Sequence, residues 1–385
     1  MEEGKSYFVT RNGSSIIAFH LPKKDFQGFH IVASHSDSPT YRIKEQPEMS
    51  VEKHYTKLNI ERYGGMIPET WFDRPLSVAG RIIIEENGQI KDQLVNIDRD
   101  LMIIPNLAIH MSRSSNESKQ LNPQKDLLPL CGGNLTKDGF EEMIAKESGV
   151  EKEDILSYDL FLYNRMRGTT LGINEEFVAA PKLDDLECAY SSIEGMLNAK
   201  LSKDYVTVCA VFDNEEVGSG TKQGAGSTFF PEVLKRISYL CGKNEEEYYM
   251  AVADSFMLSA DNAHAVHPNY QDKTDPTNRP YINEGIVLKY NASQKYTTDA
   301  NSAALVKYLC KKEKIKCQVF FNRSDMLGGS TLGNILTGQV SIKAADIGLP
   351  QLSMHSTYET AGCKDLDDMI TLMESFYELG KEVQI

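Results

Sequence analysis

The sequence predicts an α/β protein with a mixed sheet and a second, mostly β segment inserted into it. Strand-like and helix-like segments alternate from about residue 181 onward, a pattern typical of α/β domains. The stretch from about residue 41 to residue 168 differs, because it has strand-like runs and turns but little helical periodicity. We therefore expect one discontinuous domain of residues 1–40 and 169–385, and an inserted domain of residues 41–168.

Length, composition and charge narrow the functional class. The chain has 385 residues, more than one core usually serves, and 41% of them are hydrophobic. The net charge is −14, which disfavours nucleic acid as a partner and provides no polybasic patch for a membrane. The first residues lack the apolar segment of a signal peptide, and no apolar run is long enough to cross a bilayer. These features predict a cytoplasmic protein.

The cysteines do not indicate a disulfide framework or a cysteine zinc site. There are seven, an odd number, and no two are spaced as CxxC. We interpret them as small buried hydrophobic residues.

Local patterns place the main elements. A buried strand is predicted within Phe29–Pro39, and a strand that breaks into an acidic loop within Asp204–Gly218. A helix is predicted after Pro181, with apolar residues at Leu186, Ala189, Ile193 and Met196. Further strands are predicted in the runs MAVADSFMLSA, EGIVLKYNA, KCQVFF and LSMHSTYET. Two further helices are predicted, one with an Asp cap in TDANSAALVKYLCKKEKI and one that closes the chain in KDLDDMITLMESFYEL.

Acidic and histidine side chains recur at the predicted strand ends. In α/β sheets, loops at the carboxyl ends of strands meet in one crevice. Two imidazoles and three carboxylates gathered there would suit two zinc ions that share a carboxylate. The candidates are His35, Asp37, Asp184, Asp185, Glu215, Glu216, Asp261, His264, His267 and His355.

Two spacings within this set carry chemical meaning. Glu215 and Glu216 are adjacent at a strand–loop junction, so one can bind metal while the other acts as a base. His35 and Asp37 are two residues apart and share a face of a strand, so Asp37 can accept a hydrogen bond from the His35 ring and fix its tautomer.

Each motif also has a simpler interpretation. His35 and Asp37 could be an ordinary polar pair, and the two glutamates a solvated loop. Asp184 could cap a helix, and His355 could be a core histidine. The glycine-rich run 218–227 does not fit a phosphate loop, and we interpret it as a flexible loop near the metals. The joint occurrence of the motifs, in order and at strand ends, favours the metal site.

The same segments resemble the signature blocks of the aspartyl aminopeptidases, a family of co-catalytic zinc peptidases. The resemblance runs through nearly the whole chain, and the long block DNAHAVHPNY is its most specific part. The other matching segments are HSDSP, KLDDL, DNEEVGS, MHSTYE, ERYGGMIPETWFDRPLSVAGRI and IPNLAIHMSR.

The resemblance implies two zinc ions per subunit, which cobalt or manganese could replace. Asp184 would bridge the two ions and would be followed by a cis peptide bond. His35 and Asp261 would complete one metal position, and Glu216 and His355 the other.

The family also implies roles around the metals. Glu215 would be the general base, and Asp37 would support the metal ligand His35. The discontinuous domain would be the catalytic, zinc-peptidase domain. The inserted domain would form dimers that assemble into a dodecamer enclosing a chamber for short peptides.

Substrate-binding residues are also implied. Lys289 would pair with an acidic substrate side chain, and His110 would reach the active site of a partner subunit. His264 would contact the substrate or a metal ligand, and Gly328 and Gly329 would leave room for the substrate. A solvated lysine at 289 and an ordinary polar residue at 110 are the alternatives.

Two departures from the family pattern leave alternatives open. The segment Arg323–Leu336 differs from the pattern expected for the specificity loop, so a preference for neutral N-terminal residues is an alternative. Only about thirty residues precede His35, fewer than in relatives, which leaves some of the assembly contacts open but does not affect the expected metal site. Another two-metal hydrolase and a catalytically silent assembly protein of the same fold are the remaining rivals.

Overall fold

The computed structural model describes residues 1–112, 120–135 and 138–382. In chain order the strands are β1 (Lys5–Arg11), β2 (Ser15–Leu21), β3 (Gly28–His35), β4 (Thr40–Val51), β5 (Tyr55–Tyr63), β6 (Leu76–Glu86), β7 (Gln89–Asn96), β8 (Leu130–Gly132), β9 (Ile155–Asn164), β10 (Thr169–Leu171), β11 (Phe177–Ala180), β12 (Tyr205–Phe212), β13 (Phe256–Ala260), β14 (Ala263–His264), β15 (Ile286–Lys289), β16 (Cys317–Phe320), β17 (Lys343–Gly348), β18 (Pro350–Leu352) and β19 (Glu359–Gly362). The α-helices are α1 (Pro123–Asp126), α2 (Gly139–Ser148), α3 (Leu183–Asn198), α4 (Phe229–Leu240), α5 (Glu245–Ala253), α6 (Ala300–Glu313), α7 (Leu332–Gln339) and α8 (Asp365–Tyr377). In the part of the chain described, no helix is both long enough and apolar enough to cross a membrane.

The described chain divides into two compact units. The first comprises Met1–Ser38, Thr169–Met354 and Glu359–Ile385, and the second comprises Pro39–Gly168 and His355–Tyr358. The boundaries near residues 38 and 168 lie close to those predicted from the sequence. The assignment of the short segment His355–Tyr358 to the second unit was not predicted.

The first unit is built on a mixed eight-stranded sheet with the order β1-β2-β12-β3-β13-β17-β15-β16. Its central strands β12, β3, β13 and β17 run parallel, as the alternation of strands and helices predicts. A smaller sheet in the same unit has the order β10-β11-β19-β18-β14. The predicted α/β fold class is therefore confirmed.

Among the described residues, two large apolar clusters form most of the core of the first unit. One joins strands β2, β3 and β12 to helices α4, α5 and α7, and includes Phe29, Phe212 and Phe230. The other joins β13, β15 and β17 to α6 and α8, and includes Leu258 and Phe376. Helices thus cover the central strands, which explains why those strands are almost continuously apolar.

The second unit contains a six-stranded sheet with the order β7-β6-β9-β4-β5-β8. Its described strand pairs are antiparallel. The core includes Tyr41, Trp71 and Leu160, together with residues of α2. This agrees with the mostly β insert predicted from the sequence.

Helix α3 forms where the sequence predicts it, but its buried face differs from the predicted one. Leu186 and Ile193, both predicted to face the core, are each 42% exposed. Ala189, which was among the predicted apolar residues, is buried, and so is the small residue Gly195, which was not. Small residues allow α3 to approach α8 closely, and an apolar periodicity does not detect that kind of contact. The run MAVA, predicted as part of a strand, belongs to α5.

The close approach of α3 to α8 predicts an effect on stability. A Cβ added at Gly195 would lie 2.4 Å from the Cβ of Met373. Alanine favours a helix over glycine by about 1 kcal/mol, but such an overlap costs roughly 1–3 kcal/mol. We expect Gly195→Ala to lower the free energy of unfolding, measured by urea denaturation. In α7, Gly338 has no heavy atom within 4 Å of an added Cβ, so Gly338→Ala should stabilise the protein. If both variants were stabilised, the packing of α3 would be different.

Candidate metal centre and active site

Three parallel strands bring candidate side chains to one edge of the large sheet. The eight residues of β3 are all buried, and the strand ends at His35. Register places Phe212, the last residue of β12, beside His35. On the other side of β3, β13 ends at Ala260, directly before Asp261. The loops that carry the glutamate pair and Asp261 therefore begin next to His35.

The His35 ring is held in one orientation. It is 1% exposed, and its Nδ1 lies 3.1 Å from the backbone oxygen of Asp37 and 3.4 Å from Asp37 Oδ1. Its Nε2 lies 3.5 Å from Asp184 Oδ1. Donation from Nδ1 to Asp37 leaves Nε2 as the nitrogen that faces the acidic cluster. This is the arrangement by which proteins orient a metal-binding imidazole.

Asp37 also holds the adjacent glutamates. Its carboxylate accepts hydrogen bonds from the backbone N–H groups of Glu215, at 3.1 Å, and Glu216, at 3.2 Å. The glutamates form a single 3-10 turn between Asn214 and Gly218, both in the left-handed region, with φ of 64° and 92°. One carboxylate thus fixes the imidazole and the turn that carries both glutamates.

The glycine-rich segment after this turn is packed, contrary to the flexible loop predicted for it. Gln223 is buried, and its side-chain amide donates to Asn214 Oδ1 at 2.8 Å. A Cβ added at Gly224 would lie 2.4 Å from the backbone oxygen of Ser219. The glycines therefore permit close backbone contacts that support the glutamate turn.

Asp184 and Asp185 lie at the start of α3, but neither has helical dihedral angles. The peptide bond between them is cis, as the resemblance implies. The N–H of Asp184 donates to Glu359 Oε2 at 3.0 Å, and Asp185 Oδ2 accepts from the N–H of His35 at 3.1 Å. The Asp184 carboxylate faces the His35 ring, and the Asp185 carboxylate faces the backbone of His35, so both are directed toward the end of β3.

Within the described residues of the first unit, two overlapping groups of side chains could hold metal. Candidate ligand atoms of His35, Asp184, Asp185 and Asp261 lie within 4.8 Å of one another, and all four residues are buried. A second group joins His35 with Glu215 and Glu216. Few positive charges balance so many carboxylates, and burial of unbalanced charge is costly, so the site suits a bound cation. Imidazole and carboxylate together are ligands that zinc accepts.

The electrostatics of the site reflect this crowding. For His35, burial lowers the pKa, but the carboxylates of Asp184, Asp185 and Asp37 raise it well above its usual value. Burial, aided by Asp184, raises the pKa of Asp261, while Lys289 and His35 oppose this. Burial and the nearby Asp261 raise the pKa of Glu215 to about 7. A carboxyl group with such a pKa can both accept and donate a proton near neutral pH.

Comparison with known proteins identifies the family. The family model described as "Aminopeptidase I zinc metalloprotease (M18)" matches residues 1–377. The chain is 46% identical over 390 residues to "Probable M18 family aminopeptidase 2" of Clostridium novyi, covering 98% of this chain and 89% of the relative. The chain belongs to the M18 aminopeptidase family. This is the aspartyl aminopeptidase family predicted from the motifs, a family of hydrolases described as zinc metalloproteases.

Solved structures of M18 proteins share the fold. A chain in the cryo-EM structure of the Ape4 and Nbr1 complex matches with a TM-score of 0.93 and 38% identity, covering 98% of this chain and 77% of that one. A chain of the S. cerevisiae mApe1 dodecamer matches with a TM-score of 0.83 and 26% identity. The match covers 97% of this chain and 85% of that one.

His355 belongs to the second unit of this M18 protein. Its backbone lies in the left-handed region, with φ of 66°. Its Nδ1 is hydrogen-bonded to the backbone oxygen of Gly65, and its own backbone oxygen accepts from the N–H of Ile67 at 3.0 Å. The bond at Nδ1 leaves Nε2 as the nitrogen able to bind a metal. The metal role of His355 stays a prediction.

The predicted substrate-binding residues have different surroundings. Lys289 is 2% exposed and contacts Asp261. His264 is exposed at the end of β14. A Cβ at Gly328 would lie 2.1 Å from Asn322 Nδ2, whereas an added Cβ at Gly329 has no heavy atom within 4 Å. His110 is exposed, in the short helix Ile109–Met111 of the second unit. Their substrate roles stay predictions.

Sequence reasoning missed several side chains that position the predicted ones. Glu359 accepts the N–H of Asp184, as described above. The Nδ2 of Asn262 donates to Gln351 Oε1 at 3.0 Å and to Glu187 Oε2 at 3.3 Å. Glu359 and Asn262 both lie inside the recognised M18 blocks, next to predicted ligands or their turns. That proximity is the signal that could have identified them.

Glu187 predicts a pH dependence of stability. Burial raises the pKa of its carboxyl group to about 8, from an ordinary value of 4.5. Between about pH 5 and pH 8 the folded protein therefore keeps the Glu187 proton, whereas the unfolded chain has released it. Because the folded state binds the extra proton, the free energy of unfolding decreases as pH rises through this range. Glu187→Gln has no proton to lose at this position. The free energy of unfolding of the variant should therefore rise relative to that of the wild type as pH increases from about 5 to about 8, by on the order of a few kcal/mol.

Urea unfolding of chelator-treated protein at several pH values would measure this difference. The exposed Glu246→Gln should follow the wild type at every pH. A difference between Glu187→Gln and wild type that did not change with pH would contradict the prediction.

Proposed function

We propose that this M18 protein is an aminopeptidase that releases N-terminal residues, acidic ones in particular, from short peptides. The observation that carries the proposal is the buried group of His35, Asp184 and Asp261 with Glu215 beside it. The family resemblance supports the acidic preference.

Two zinc ions per subunit would occupy the site, and cobalt or manganese could replace them. His35, Asp184 and Asp261 would hold one ion. By the family resemblance, Asp184 would be shared with a second ion held by Glu216 and His355. Bound zinc would supply Lewis-acid activation of the scissile carbonyl and of water.

The residues of the chain would move the proton. Glu215 would take a proton from the attacking water and return it to the leaving amine, a transfer open to a carboxylate that lies beside the proposed ligands. Asp37 would keep the Glu215 turn and the His35 ring in place through the three hydrogen bonds described above. Neither role requires a conformational change in the sheet.

We also propose that the protein is a cytoplasmic homo-oligomer. The match to the mApe1 dodecamer supports an assembly of twelve subunits, and the family resemblance implies that dimers are its building blocks. In that assembly residues 39–168 would form the dimer contact, and His110 would reach the active site of the partner. Nucleic acid and membranes are not expected as partners, since the net charge is −14.

One observation favours a second candidate, an aminopeptidase that prefers neutral N-terminal residues. Lys289, the lysine predicted to pair with an acidic side chain, is buried against Asp261 and Asn262. The same zinc chemistry would then act on a different set of peptides.

Hydrolysis of Asp-, Glu-, Leu- and Lys-para-nitroanilide would test the proposal. The protein would be assayed with added zinc or cobalt and with a chelator as control. Chelator-sensitive release led by Asp and Glu is expected, and release led by Leu would select the neutral candidate. Bound metal without release from any substrate would favour a catalytically silent assembly protein.

A further inference from the structure

Asp346 lies within β17, inside the large sheet. Its side chain is 0% exposed, and register places it between Ser259 of β13 and Lys289 of β15. A carboxylate is rarely buried to this degree without hydrogen-bond donors or a paired charge, because it loses its contact with water. The groups that donate to Asp346 therefore indicate what it does.

Two threonines outside the sheet donate to this carboxylate. Asp346 Oδ2 accepts from the backbone N–H of Thr297 at 2.6 Å and from the Thr297 hydroxyl at 2.7 Å. Asp346 Oδ1 accepts from the hydroxyl of Thr331. The backbone N–H of Asp346 also donates to Oγ1 of Thr298 at 2.9 Å. One buried residue thus joins two separate segments of the chain.

Thr331 shows how closely the second of these segments is held. It is the N-cap of α7, a position where a threonine hydroxyl usually accepts from the first turn of its own helix. No such bond is described at Thr331, whose hydroxyl donates to Asp346 instead. A Cβ added at Gly333, in the first turn of α7, would lie 2.8 Å from Asp346 Oδ2. A negative charge is favourable at that end of a helix, so the carboxylate fixes both the cap and the turn.

The two segments that Asp346 joins are also in contact with each other. The β15–α6 segment comprises residues 290–299, and the β16–α7 segment comprises residues 321–331. The rings of Tyr290 and Phe321, one from each segment, are stacked with centroids 5.0 Å apart. The threonines held by Asp346 lie toward the far ends of the segments, so the stacked rings and the carboxylate fix them at two places.

Both segments are connected with the proposed active site. Tyr296, directly before Thr297, has its ring centre 5.1 Å from Nζ of Lys289. That Nζ lies 3.6 Å from Oδ2 of Asp261, a proposed zinc ligand. The β16–α7 segment contains Gly328 and Gly329, which are predicted to leave room for the substrate. The position of these segments should therefore matter for substrate binding.

We infer that Asp346 is a positioning residue that holds the β15–α6 and β16–α7 segments in the arrangement that receives the N-terminal residue of a peptide. The inference rests on the proposed aminopeptidase function. Asp346 is buried within the sheet, so it acts through Thr297 and Thr331 without touching the substrate. The hydrogen bonds that it accepts involve no proposed zinc ligand. Their loss should therefore change KM more than kcat.

Thr331→Val removes one of these bonds with little change in side-chain shape. The β16–α7 segment then spends less time in the arrangement that binds substrate, and the apparent affinity falls by the same factor. Because the lost bond is to a charged group, KM for the best para-nitroanilide substrate should rise by about tenfold, with kcat and zinc content close to those of the wild type. Thr331→Ser keeps the hydroxyl and should restore KM. An unchanged KM in folded Thr331→Val would overturn the inference.

A double variant separates this role from a general effect on stability. Thr331→Val leaves a buried carboxylate oxygen without its donor, which should lower the free energy of unfolding measured in urea. Adding Asp346→Asn replaces the charge with a neutral amide and should recover part of that stability. The double variant should nevertheless keep the raised KM, because the bond to Thr331 is still absent. A KM that returned together with the stability would contradict the positioning role.

Thr337→Val provides the matched control in the same helix. The Thr337 hydroxyl donates to the backbone oxygen of Gly333 at 2.9 Å, within α7 itself. The chemical change is the same as at Thr331, but it leaves the bonds to Asp346 in place. We expect KM and kcat of this variant to equal those of the wild type, and a tenfold rise in KM here would count against the inference.

Hydrogen exchange keeps the inference separate from the proposed activity. Peptides from residues 321–331 should exchange faster in Thr331→Val than in the wild type, measured by mass spectrometry, whereas peptides that contain the Glu215 turn should not. If the wild type cleaves no substrate, the proposed function fails, and the exchange result still tests whether Asp346 holds the segment. Equal exchange of residues 321–331 in the variant and the wild type would overturn that role.

Discussion

Glu215→Gln should lower kcat by about 10²–10⁴-fold while zinc content stays unchanged. Glutamine has nearly the same size as glutamate, but it cannot take a proton from water. The backbone N–H of residue 215 would still donate to Asp37, so the turn should keep its position. Steady-state kinetics on an acidic para-nitroanilide, together with metal analysis of the same sample, would measure both properties.

The matched control for this variant is Glu246→Gln, on the exposed first turn of α5. It makes the same chemical change far along the chain from the motif and should retain full activity. Activity of Glu215→Gln within a fewfold of wild type would exclude Glu215 as the base. Loss of zinc would instead indicate that Glu215 is a ligand.

Asp184→Asn should remove zinc from both positions. Asp184 Oδ1 faces Nε2 of His35, and Asp184 is the residue proposed to be shared by the two ions. Loss of a shared charged ligand should exceed the roughly 10–100-fold loss in affinity that removal of an outer partner causes. Equilibrium dialysis against zinc would give the stoichiometry, and activity should fall with it.

Asp185→Asn provides the comparison, because Asp185 is adjacent and buried in the same cluster. Its Oδ2 accepts the N–H of His35, and an asparagine oxygen can do the same. We expect two zinc ions to remain bound, with affinity reduced by about tenfold or less. If Asp185→Asn lost zinc and Asp184→Asn retained it, the assignment of the two neighbours would have to be exchanged.

Local motifs predicted part of the site because those of His35, the glutamate pair and Asp261 each lie at or just after the end of a strand. The strand that ends at His35 and the strand before Glu215 lie where apolar runs give way to polar residues. Parallel pairing of β3 with β12 and β13 then brings these ends together. The motifs therefore indicated that His35, Glu215 and Asp261 lie near one edge of the sheet, whereas the place of Asp184 in the site was implied by the family resemblance.

Properties that depend on packing could not be predicted in this way. The burial of Lys289 follows from its register opposite Asp346 in the sheet, which no local pattern reveals. The buried face of α3 depends on Gly195 against Met373 of α8. The grouping of His355 with the second unit depends on hydrogen bonds to residues nearly 300 positions earlier, from its ring to the backbone oxygen of Gly65 and from the N–H of Ile67 to its own backbone oxygen.

The chain positions of the proposed ligands also determine when the site can form during folding. His35, Asp184 and Asp261 are far apart in sequence, and they meet only after β3 has paired with β12 and β13. Such long-range parallel pairings form slowly, because each requires closure of a long loop. An unfolded chain holds no preformed site for zinc. Zinc uptake should therefore follow assembly of the central sheet, so the metal would stabilise the finished structure without guiding the chain toward it.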